Sequence, residues 1–482
     1  MMQNKQKPTT LSDIAMNILI RIFLTLLLLP ALSGCEKLTE LERIKENGVL
    51  IVATRNSPTT YYEGADGPTG FEYGLAKRFA DELGVELKMI SVTNLNDILT
   101  MVRKNEVNFA AAGLTITEPR KYWVRFGPPY QEITQEVVYR LGTARPTKIR
   151  HLLTRNLEVV ADSSHAELLE KLQAAYPELR WTENPNVESS ELLDLVWEQI
   201  IDVTIADSNE LKLHQKYTPE IQSAFTISDT QQLAWAFPKS KDDSLYNRVL
   251  SFFEEQRKNG ELKSLINEYY GHVKRFDYVG TREYMSDINL VLPKYQYMFE
   301  TAGQYYDVDW RLLAAMGYQE SHWDPDARSP TGVRGLMMLT MNTAKFLDID
   351  DRLDPRKSIY GGAKYFDNLR SRIPSRIPEP DKTWMTVAAY NVGLGHLEDA
   401  RVIAEKKGLD PDKWADVKET LPLLTRKKWY KKTRYGYARG WEPVRYVEQI
   451  RSYYDILKWI SNRDKVTPEP EPEAFDINSP AL

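Results

Sequence analysis

Cysteine is almost missing from this chain of 482 residues, which contains a single one, Cys35. A disulfide within the chain is therefore impossible, and a thiolate metal site is excluded. Histidine is also scarce, with 6 residues, and the sequence holds neither an HExxH pair nor clustered acids with metal-ligand spacing. A nucleophile elbow of the G-x-S-x-G type is missing as well, which argues against a serine hydrolase. We expect neither a metal ion nor a cofactor.

The chain also lacks an excess of positive charge. Its formal net charge is -5 and its pI is about 5.9, whereas proteins that bind polyanions are usually basic. Nucleic acid is therefore not expected as a partner, although a local basic cluster lies at Arg426-Lys427-Lys428 and Lys431-Lys432. The composition, 42% hydrophobic and 27% charged, is typical of a globular protein. At this length, two or three domains are expected.

One apolar run, residues 22–32, lies near the N-terminus and follows the basic Arg21. It is shorter than the roughly 20 residues that span a bilayer, so it predicts a signal peptide over residues 1–34. The sequence Leu32-Ser33-Gly34-Cys35 resembles a bacterial lipobox, which implies that Cys35 is lipidated and anchors the mature protein. Glu36 in the next position implies sorting to the periplasmic face of a Gram-negative outer membrane. An ordinary cleaved signal is the alternative.

Short apolar strands alternate with helices over residues 36–272. The pattern predicts strands at 50–53, 85–90 and 107–111, and amphipathic helices at 74–83 and 95–102. Such alternation predicts an α/β domain in which helices cover the sheets. In folds of this kind, ligands bind at the carboxyl ends of the strands.

The same region resembles the periplasmic solute-binding proteins for amino acids. The matching segments are Leu50-Ile51-Val52-Ala53-Thr54, Gly70-Phe71-Glu72, residues 113–120, Phe126-Gly127-Pro128-Pro129-Tyr130, residues 259–262 and Tyr269-Tyr270-Gly271. The resemblance implies a two-lobed domain in which Arg120 binds a ligand carboxylate bidentately. It implies that Asp207 binds the ligand ammonium group and that Gly113 and Thr115 complete the site. Residues 161–165 lack the glycine that the family has in the anion-binding loop of its second lobe, so the identity of the ligand remains open. The alternative is that Arg120 and Asp207 are ordinary ion partners.

A second domain, mainly helical, is predicted over residues 284–462, after a linker at 273–283. Helical periodicity is found at 298–306, 310–319, 337–347, 361–373 and 383–390. The tail, residues 463–482, alternates proline and glutamate and is predicted to be disordered.

The most informative stretch is Glu320-Ser321-His322-Trp323-Asp324-Pro325. Small or apolar residues recur before it at helical spacing, so Glu320 is predicted to lie at the end of a helix on its buried side. Burial and the negative end of the helix dipole both disfavour the ionised carboxylate. Both raise its pKa, as a general acid at neutral pH requires. The alternative is an idle, exposed glutamate at a frayed helix end.

These residues resemble the first motif of the lytic transglycosylases of the soluble-lytic-transglycosylase type. Two more motifs follow in the family's order, Gly332-Val333-Arg334-Gly335-Leu336-Met337-Met338-Leu339 and Ala388-Ala389-Tyr390-Asn391-Val392-Gly393, and Val444-Arg445-Tyr446-Val447-Glu448 then places Tyr446 where the family has a tyrosine near the acid. The resemblance implies a lysozyme-like helical fold, with Glu320 as the catalytic acid. It implies substrate contacts from Ser321, Met338, Tyr390, Asn391 and Tyr446. Many family members have glutamine at the position of Met338, so an amide contact is lost there.

The resemblance implies an enzyme that acts on peptidoglycan strands. It would cleave the β-1,4 bond between N-acetylmuramic acid and N-acetylglucosamine and leave a 1,6-anhydro ring. Asp324 is the nearest second carboxylate, but beside Pro325 it is expected to cap a turn. Most glycosidases use two carboxylates. A site with only one matches the exception in which a group of the substrate itself replaces the second carboxylate.

Two other functions remain open from the sequence. A binding or sensor protein would capture a solute while its second domain only held peptidoglycan. A lysozyme-like hydrolase would use the same acid but release a reducing end. For the transglycosylase, the first domain is expected to bind a small amino-acid or muropeptide-like ligand, and we expect this ligand to regulate the second domain.

Overall fold

The computed structural model describes residues 38–64, 67–271, 278–329 and 332–463. The predicted signal peptide, Cys35 and residues 464–482 of the predicted tail lie outside these ranges. Within the described ranges, no helix combines the length and the apolar character that crossing a bilayer requires.

The first domain contains two five-stranded sheets, one in each of two lobes. The strand order is β4-β1-β5-β14-β6 in lobe 1 and β10-β9-β11-β8-β12 in lobe 2. Helices follow most of the strands, which confirms the predicted α/β alternation. The strands are β1 (Val49–Thr54), β2 (Tyr62–Gly64), β3 (Gly67–Thr69), β4 (Glu86–Ser91), β5 (Phe109–Ala110), β6 (Arg125–Phe126), β7 (Gln131–Ile133), β8 (Gln135–Arg140), β9 (Leu157–Val160), β10 (Thr182–Asn184), β11 (Val203–Asp207), β12 (Ile221–Thr226), β13 (Gln231–Leu233) and β14 (Ala236–Phe237).

The helices of this domain have recognisable start and stop signals. In α1, Thr39 and Glu42 form a capping box, and Gly48 ends the helix with a φ of 68°. A short 3₁₀ turn at Ile149–Leu152 lies in lobe 2. The helices are α1 (Glu40–Asn47), α2 (Phe71–Leu83), α3 (Leu95–Arg103), α4 (Glu118–Trp123), α5 (Ser164–Gln173), α6 (Ser189–Trp197), α7 (Ser208–His214), α8 (Ser244–Lys258) and α9 (Glu261–Tyr270).

The chain crosses between the lobes at β7 and β13. These two strands pair antiparallel, with Gln131 opposite Leu233 and Ile133 opposite Gln231. Each lobe has an apolar core of its own, one around Phe79 and Trp235 and one around Val159 and Leu169. A third apolar cluster contains residues of both lobes, among them Ile98 of lobe 1 and Val196 of lobe 2. Movement of the lobes about the strand pair as a hinge therefore has to separate this shared cluster.

The second domain is helical and is built around α12, whose residues Leu312 to Tyr318 are all buried. Helix α12 packs against α11, α14 and α19. Short 3₁₀ turns lie at Leu292–Lys294 and Leu421–Thr425. The helices are α10 (Tyr278–Leu290), α11 (Gln296–Tyr306), α12 (Trp310–Ser321), α13 (Met341–Phe346), α14 (Pro355–Arg372), α15 (Asp381–Val392), α16 (Leu394–Lys406), α17 (Trp414–Thr420), α18 (Lys427–Tyr430) and α19 (Trp441–Arg463).

Two segments differ from the sequence expectation. Helix α10 begins at Tyr278, inside the segment predicted as a linker, and the ring of its fully buried Tyr284 packs at a tilt against those of Tyr318 and Tyr453. The helix predicted at 337–347 begins only at Met341. Apolar residues before Met341 suggested a longer helix, but they are buried as an irregular loop instead.

Side chains, rather than helical hydrogen bonds, hold the backbone of that loop. Arg352 donates to the carbonyls of Gly332 (3.2 Å) and Leu339 (2.7 Å), and the Met337 N–H donates to Ser358 Oγ (3.1 Å). Gly335 has a φ of 80°, and a Cβ there would lie 1.8 Å from the Arg352 carbonyl oxygen. Only glycine fits such a position.

The two domains meet along α9, α17 and α19. Lys263 of α9 pairs with Asp416 and Glu419 of α17, at 2.6 and 2.8 Å. Lys413, just before α17, pairs with Glu261 at 2.8 Å. These ion pairs join lobe 1 to the second domain.

Helix α19 contacts both lobes of the first domain. Arg451 donates to the carbonyls of Asn267 (3.1 Å) and Glu268 (2.6 Å) in lobe 1. One turn later, Asp455 pairs with Lys216 of lobe 2 at 2.9 Å. Trp459 then stacks on Tyr217 of lobe 2, with ring centres 4.9 Å apart.

Candidate active site

Glu320 lies in the last turn of α12, as predicted from the apolar spacing. Asp309 caps the start of this helix by accepting from the Arg311 N–H at 2.9 Å, and His322 ends it with a φ of 54°. The next residue, Trp323, is fully buried and donates from Nε1 to the Ala314 carbonyl at 2.8 Å. The chain reversal after Glu320 is thereby fixed to the helix that carries it.

The carboxyl group of Glu320 has a strongly perturbed pKa. Burial raises the pKa from 4.5 to about 7, and a hydrogen bond from Tyr446 partly opposes that rise. Burial disfavours the charged form, whereas a donor to the carboxylate favours it. A carboxyl group with a pKa near neutrality can both give and take a proton at physiological pH.

Tyr446 reaches Glu320 from the first half of α19. Its hydroxyl donates to Glu320 Oε1 at 2.5 Å, across 126 residues of sequence. Burial raises the pKa of the Tyr446 hydroxyl well above its ordinary value, with further contributions from Glu320 and Tyr390. Tyr446 therefore stays protonated and remains a donor to Glu320.

Tyr390 lies in the last turn of α15, close to this pair. Burial raises the pKa of its hydroxyl, and the charge of Glu320 adds to that rise. The hydroxyl donates to the Met337 carbonyl at 3.1 Å, and its ring meets Tyr365 edge-on at 5.2 Å. The third motif is thus tied to the second.

Ser321 ties the first motif to the second. Its Oγ donates to the Leu336 carbonyl at 2.8 Å and to the Gly317 carbonyl at 3.2 Å. The close packing of α12 on this loop also needs Gly317, where a Cβ would lie 3.0 Å from Leu336 Cδ2. Four sequence-predicted residues, Glu320, Ser321, Tyr390 and Tyr446, are therefore brought together with the glycine-rich loop.

Met338 and Asn391 occupy the more open positions of the group. Met338 has a φ of 47°, and its N–H donates to the Gly335 carbonyl at 2.9 Å in a tight turn. Asn391 is exposed, one residue before the end of α15. Both are accessible from solvent beside the buried acid.

A second carboxylate does not take part in this arrangement. The Asp324 carboxylate accepts from the Asp326 N–H at 3.0 Å, so it caps a turn, as predicted. In the described part of the chain, only burial and Tyr446 account for the pKa of Glu320. The site therefore has one titrating carboxyl group rather than a pair.

The four residues predicted to bind a ligand in the first domain lie between its two lobes. Arg120 is 4% exposed and pairs with Glu167 of lobe 2 through Nε at 3.0 Å. It also donates to the Asp162 carbonyl of lobe 2 at 3.1 Å. Burial lowers the pKa of Arg120, although Glu167 opposes this effect. The Glu167 carboxylate is thus paired with the Arg120 guanidinium, the group that was predicted to bind a ligand carboxylate.

The other predicted ligand residues also have partners within the chain. Asp207 Oδ1 lies 3.0 Å from His165 Nε2, the Gly113 N–H donates to Glu72 at 2.9 Å, and Thr115 Oγ1 accepts from Ser164 at 3.3 Å. Arg120, Asp207 and Thr115 therefore each contact a side chain of lobe 2, namely Glu167, His165 and Ser164.

Sequence reasoning missed a second buried cation in the cleft. Arg55 lies 3.0 Å from Glu210 and 3.6 Å from Glu188, both of lobe 2. Burial lowers the pKa of Arg55, but these carboxylates outweigh that effect and hold it above its ordinary value. Burial raises the pKa of Glu188 to about 7. The position of Arg55, directly after the buried strand Val49–Thr54, could have identified it, because ligands bind at the carboxyl ends of such strands.

No group of three or more His, Cys, Asp or Glu side chains is arranged to hold a metal ion within the ranges that the structure describes.

Comparison with protein families matches both halves of the chain. The family "Bacterial extracellular solute-binding proteins, family 3" matches residues 50–272, and the "Transglycosylase SLT domain" matches residues 297–413. Among solved structures, a mutant arginine-binding protein from T. maritima is 23% identical, with a TM-score of 0.44, over 48% of this chain and 99% of that one. A cysteine-binding protein from Campylobacter jejuni is 20% identical, with a TM-score of 0.45, over 50% of this chain and 96% of that one.

Curated relatives match almost the whole chain. "Membrane-bound lytic murein transglycosylase F 1" of Alkalilimnicola ehrlichii is 50% identical over 429 residues, which are 88% of this chain and 86% of the relative. "Membrane-bound lytic murein transglycosylase F" of Pseudomonas fluorescens is 50% identical over 433 residues, 89% of each chain. The resemblance predicted from the motifs is thereby confirmed. The chain belongs to the membrane-bound lytic murein transglycosylase F family, and it is a non-hydrolytic enzyme of peptidoglycan lysis.

Proposed function

We propose that this transglycosylase cleaves the β-1,4 bond between N-acetylmuramic acid and N-acetylglucosamine and leaves a 1,6-anhydro ring on the muramic acid. The observation that carries the proposal is the one largely buried carboxyl group of this site, that of Glu320, with its pKa raised to about 7. One group whose pKa lies near neutrality can act first as the acid and then as the base.

The reaction has two steps. Glu320 first donates its proton to the glycosidic oxygen, the bond to C1 breaks, and the acetamido oxygen of the same muramic acid bonds to C1. The resulting Glu320 carboxylate then takes the proton of the C6 hydroxyl, whose oxygen bonds to C1 and displaces the acetamido oxygen. Glu320 ends protonated, and no water is consumed because the C6 hydroxyl takes its place. No protein nucleophile is required, a feature shared with other substrate-assisted glycosidases.

The surrounding residues position the acid and the sugars. Tyr446 orients Glu320 through its hydrogen bond. Ser321 joins the helix of the acid to the glycine-rich loop. Tyr390 and Asn391 line the sugar subsites, and Met338 offers them an apolar contact in place of an amide.

Mass analysis of the released muropeptides tests this reaction. Digestion of purified sacculi should give products one water lighter than those of a lysozyme, because the muramic acid closes on itself. Products with a free reducing end would show instead that the enzyme is a lysozyme-like hydrolase.

We also propose that a small amphoteric ligand, an amino acid or a peptide fragment of the wall, binds between the lobes and regulates the catalytic domain. Arg120 would bind its carboxylate and Asp207 its ammonium group, with Gly113 and Thr115 completing the site. Such a ligand must displace the internal partners Glu167 and His165. The Arg120–Glu167 contact joins the two lobes, so its exchange for a ligand contact favours a hinge movement, whereas Asp207 and His165 both belong to lobe 2.

Helix α19 offers a direct path from the lobes to the acid. It contacts lobe 1 through Arg451 and lobe 2 through Asp455 and Trp459, while its Tyr446 bonds Glu320. When the lobes move apart, α19 cannot keep both sets of contacts. A coupling of about 1–3 kcal/mol is typical of such systems and corresponds to a change in affinity of about 5–150-fold.

Arg120→Ala should abolish ligand binding and any response of turnover to the ligand. Calorimetry with single amino acids and a wall tetrapeptide, followed by turnover assays on soluble glycan strands, measures both effects. Arg150→Ala, an exposed arginine of lobe 2, is the control. Because Arg120→Ala leaves Glu167 without its buried partner, a thermal melt must accompany the assays. Unchanged binding, or a wild type whose turnover ignores saturating ligand, would make the domain a passive adaptor.

We further propose that the protein is held at the periplasmic face of the outer membrane by lipid on Cys35, a residue outside the described ranges. The lipobox resemblance and the membrane-bound relatives support this anchor.

Cys35→Ala should move the protein from the membrane fraction to the soluble fraction, or leave it held only by an uncleaved signal. The variant has lost the only thiol that can carry the lipid. Fractionation and mass analysis of the mature N-terminus decide between these outcomes. A wild-type N-terminus upstream of residue 35 without lipid would refute the lipid anchor.

A further inference from the structure

Residues 426–441 form a strongly basic and aromatic segment in an otherwise acidic protein. The segment carries seven arginines and lysines, five aromatic residues and no carboxylate, against a net charge of -5 for the whole chain. Tyr435, Tyr437 and Trp441 are each more than half exposed, at 52%, 57% and 51%. Exposed aromatic residues on this scale mark an interaction surface.

Most of the cations in this segment have no acidic partner. Arg439 pairs with Glu442 at 2.9 Å. Within the described parts of the chain, the other six have no carboxylate at ion-pair distance; they are Arg426, Lys427, Lys428, Lys431, Lys432 and Arg434. Six unneutralised cations on one short segment produce a local positive potential that can attract an anionic partner.

The segment is fixed in place rather than loosely attached. The N–H groups of Arg434 and Tyr435 donate to the buried carboxylate of Asp399 at 3.0 and 2.8 Å. Gly440 lies so close to Leu421 that a Cβ there would meet the Leu421 carbonyl oxygen at 1.7 Å. A surface held in this way can bind a partner without first paying for its own ordering.

The second half of the segment adjoins the catalytic residues. The ring of Tyr435 packs on Gly395, four residues after Asn391, where a Cβ would meet it at 2.7 Å. Trp441 begins α19, and Tyr446 follows after five residues, about 7.5 Å along the helix. A strand that reaches Glu320 therefore passes close to Tyr435 and Trp441, and the cations precede these two residues in the same segment.

We propose that residues 426–441 extend the catalytic groove and bind the carboxylate-bearing stem peptides of the peptidoglycan strand under cleavage. The proposal rests on the transglycosylase function. The free carboxylates of the stems suit the unpaired cations, and the apolar faces of the sugar rings suit the exposed tyrosine and tryptophan rings. The segment thus makes the enzyme prefer strands that still carry their peptides over stripped strands.

An anionic membrane surface is the competing partner, because lysines and aromatic residues also bind lipid headgroups. The position of the segment favours the strand. Tyr435 packs on Gly395, which lies just after the third motif, and Trp441 begins α19, the helix that carries Tyr446. A membrane-binding surface would not need to adjoin the acid.

The test replaces Lys427, Lys428, Lys431 and Lys432 together by glutamine in the full-length protein. Two soluble substrates are compared: uncrosslinked strands with intact stems, and the same strands stripped of peptides by an amidase. On strands with stems, KM should rise about ten-fold with little change in kcat, since exposed ion pairs each contribute modestly. On stripped strands, KM should change less than two-fold. A matched control replaces four exposed lysines of the first domain, Lys45, Lys88, Lys241 and Lys258.

Salt and aromatic substitution provide independent readouts. Raising salt from about 50 to about 500 mM should remove the wild-type preference for strands with stems, because it screens exposed charges. Tyr437→Ala should raise KM on both substrates, because both keep the sugar rings.

The outcomes separate the alternatives. An equal KM rise on both substrates would overturn the stem-peptide assignment, and an unchanged KM with lost binding to phosphatidylglycerol vesicles would assign the segment to the membrane instead. Products with a free reducing end, from either substrate with the wild type, would instead contradict the proposed reaction itself. That outcome is determined from the mass of the product rather than from KM.

Discussion

Glu320→Gln should lower the release of anhydro-muropeptides by at least about a thousand-fold. Proton transfer by a positioned side chain contributes typically 10²–10⁴-fold, and here one group serves both steps. The amide has almost the same shape, and it can still accept the Tyr446 hydrogen bond. It cannot give a proton to the glycosidic oxygen or take one from the C6 hydroxyl.

The same variant should be more stable than the wild type at neutral and alkaline pH. A pKa raised from 4.5 to about 7 means that the ionised carboxylate costs the folded protein about 3 kcal/mol. Because the folded pKa lies above the unfolded one, this cost is absent below pH 4.5 and grows as the pH rises to about 7. The melting temperatures of the two proteins should therefore coincide at pH 4 and separate at pH 8.

Glu405→Gln, an exposed glutamate on α16, is the matched control and should change neither turnover nor stability. Turnover by Glu320→Gln within ten-fold of the wild type would remove Glu320 as the acid. Equal stability at pH 8 would contradict the burial of its charge.

The sequence predicted the parts of the active site that depend on local pattern. The apolar spacing before Glu320 placed the acid at a buried helix end, because burial follows the helical period. It did not predict the loop before Met341, because apolar residues can be buried without forming a helix. There Gly335 and the hydrogen bonds of Arg352 determine the backbone, and both depend on distant partners.

The contacts across the first-domain cleft could not be predicted in the same way. Arg55 and Glu210 are 155 residues apart in sequence, and no spacing rule joins them. The family resemblance assigned Arg120 and Asp207 to a ligand but gave no sign of Glu167 or His165. Long-range pairs of charges are set by the packing of whole lobes, which a single sequence does not reveal.

Tyr446→Phe should lower kcat by about 10–100-fold and shift the alkaline limb of the pH profile to higher pH. The Tyr446 hydroxyl donates to Glu320 Oε1, and that bond lowers the pKa of the carboxyl group against the effect of burial. Without the donor, burial acts alone and the pKa rises above about 7. The carboxylate needed for the second proton transfer then becomes harder to form, and it has lost the hydrogen bond that orients it.

The direction of the shift distinguishes this role from a merely structural one. The first step needs protonated Glu320, so kcat/KM is highest below the pKa of Glu320 in the free enzyme and falls above it. In the wild type this fall should centre near pH 7, and in Tyr446→Phe it should centre higher. Tyr390→Phe is the informative comparison, because its hydroxyl donates to the Met337 carbonyl rather than to Glu320. That variant can lose turnover through weaker sugar binding, but its alkaline limb should stay near that of the wild type. A Tyr446→Phe profile displaced to lower pH, or not displaced at all, would mean that Tyr446 packs beside Glu320 without controlling its proton.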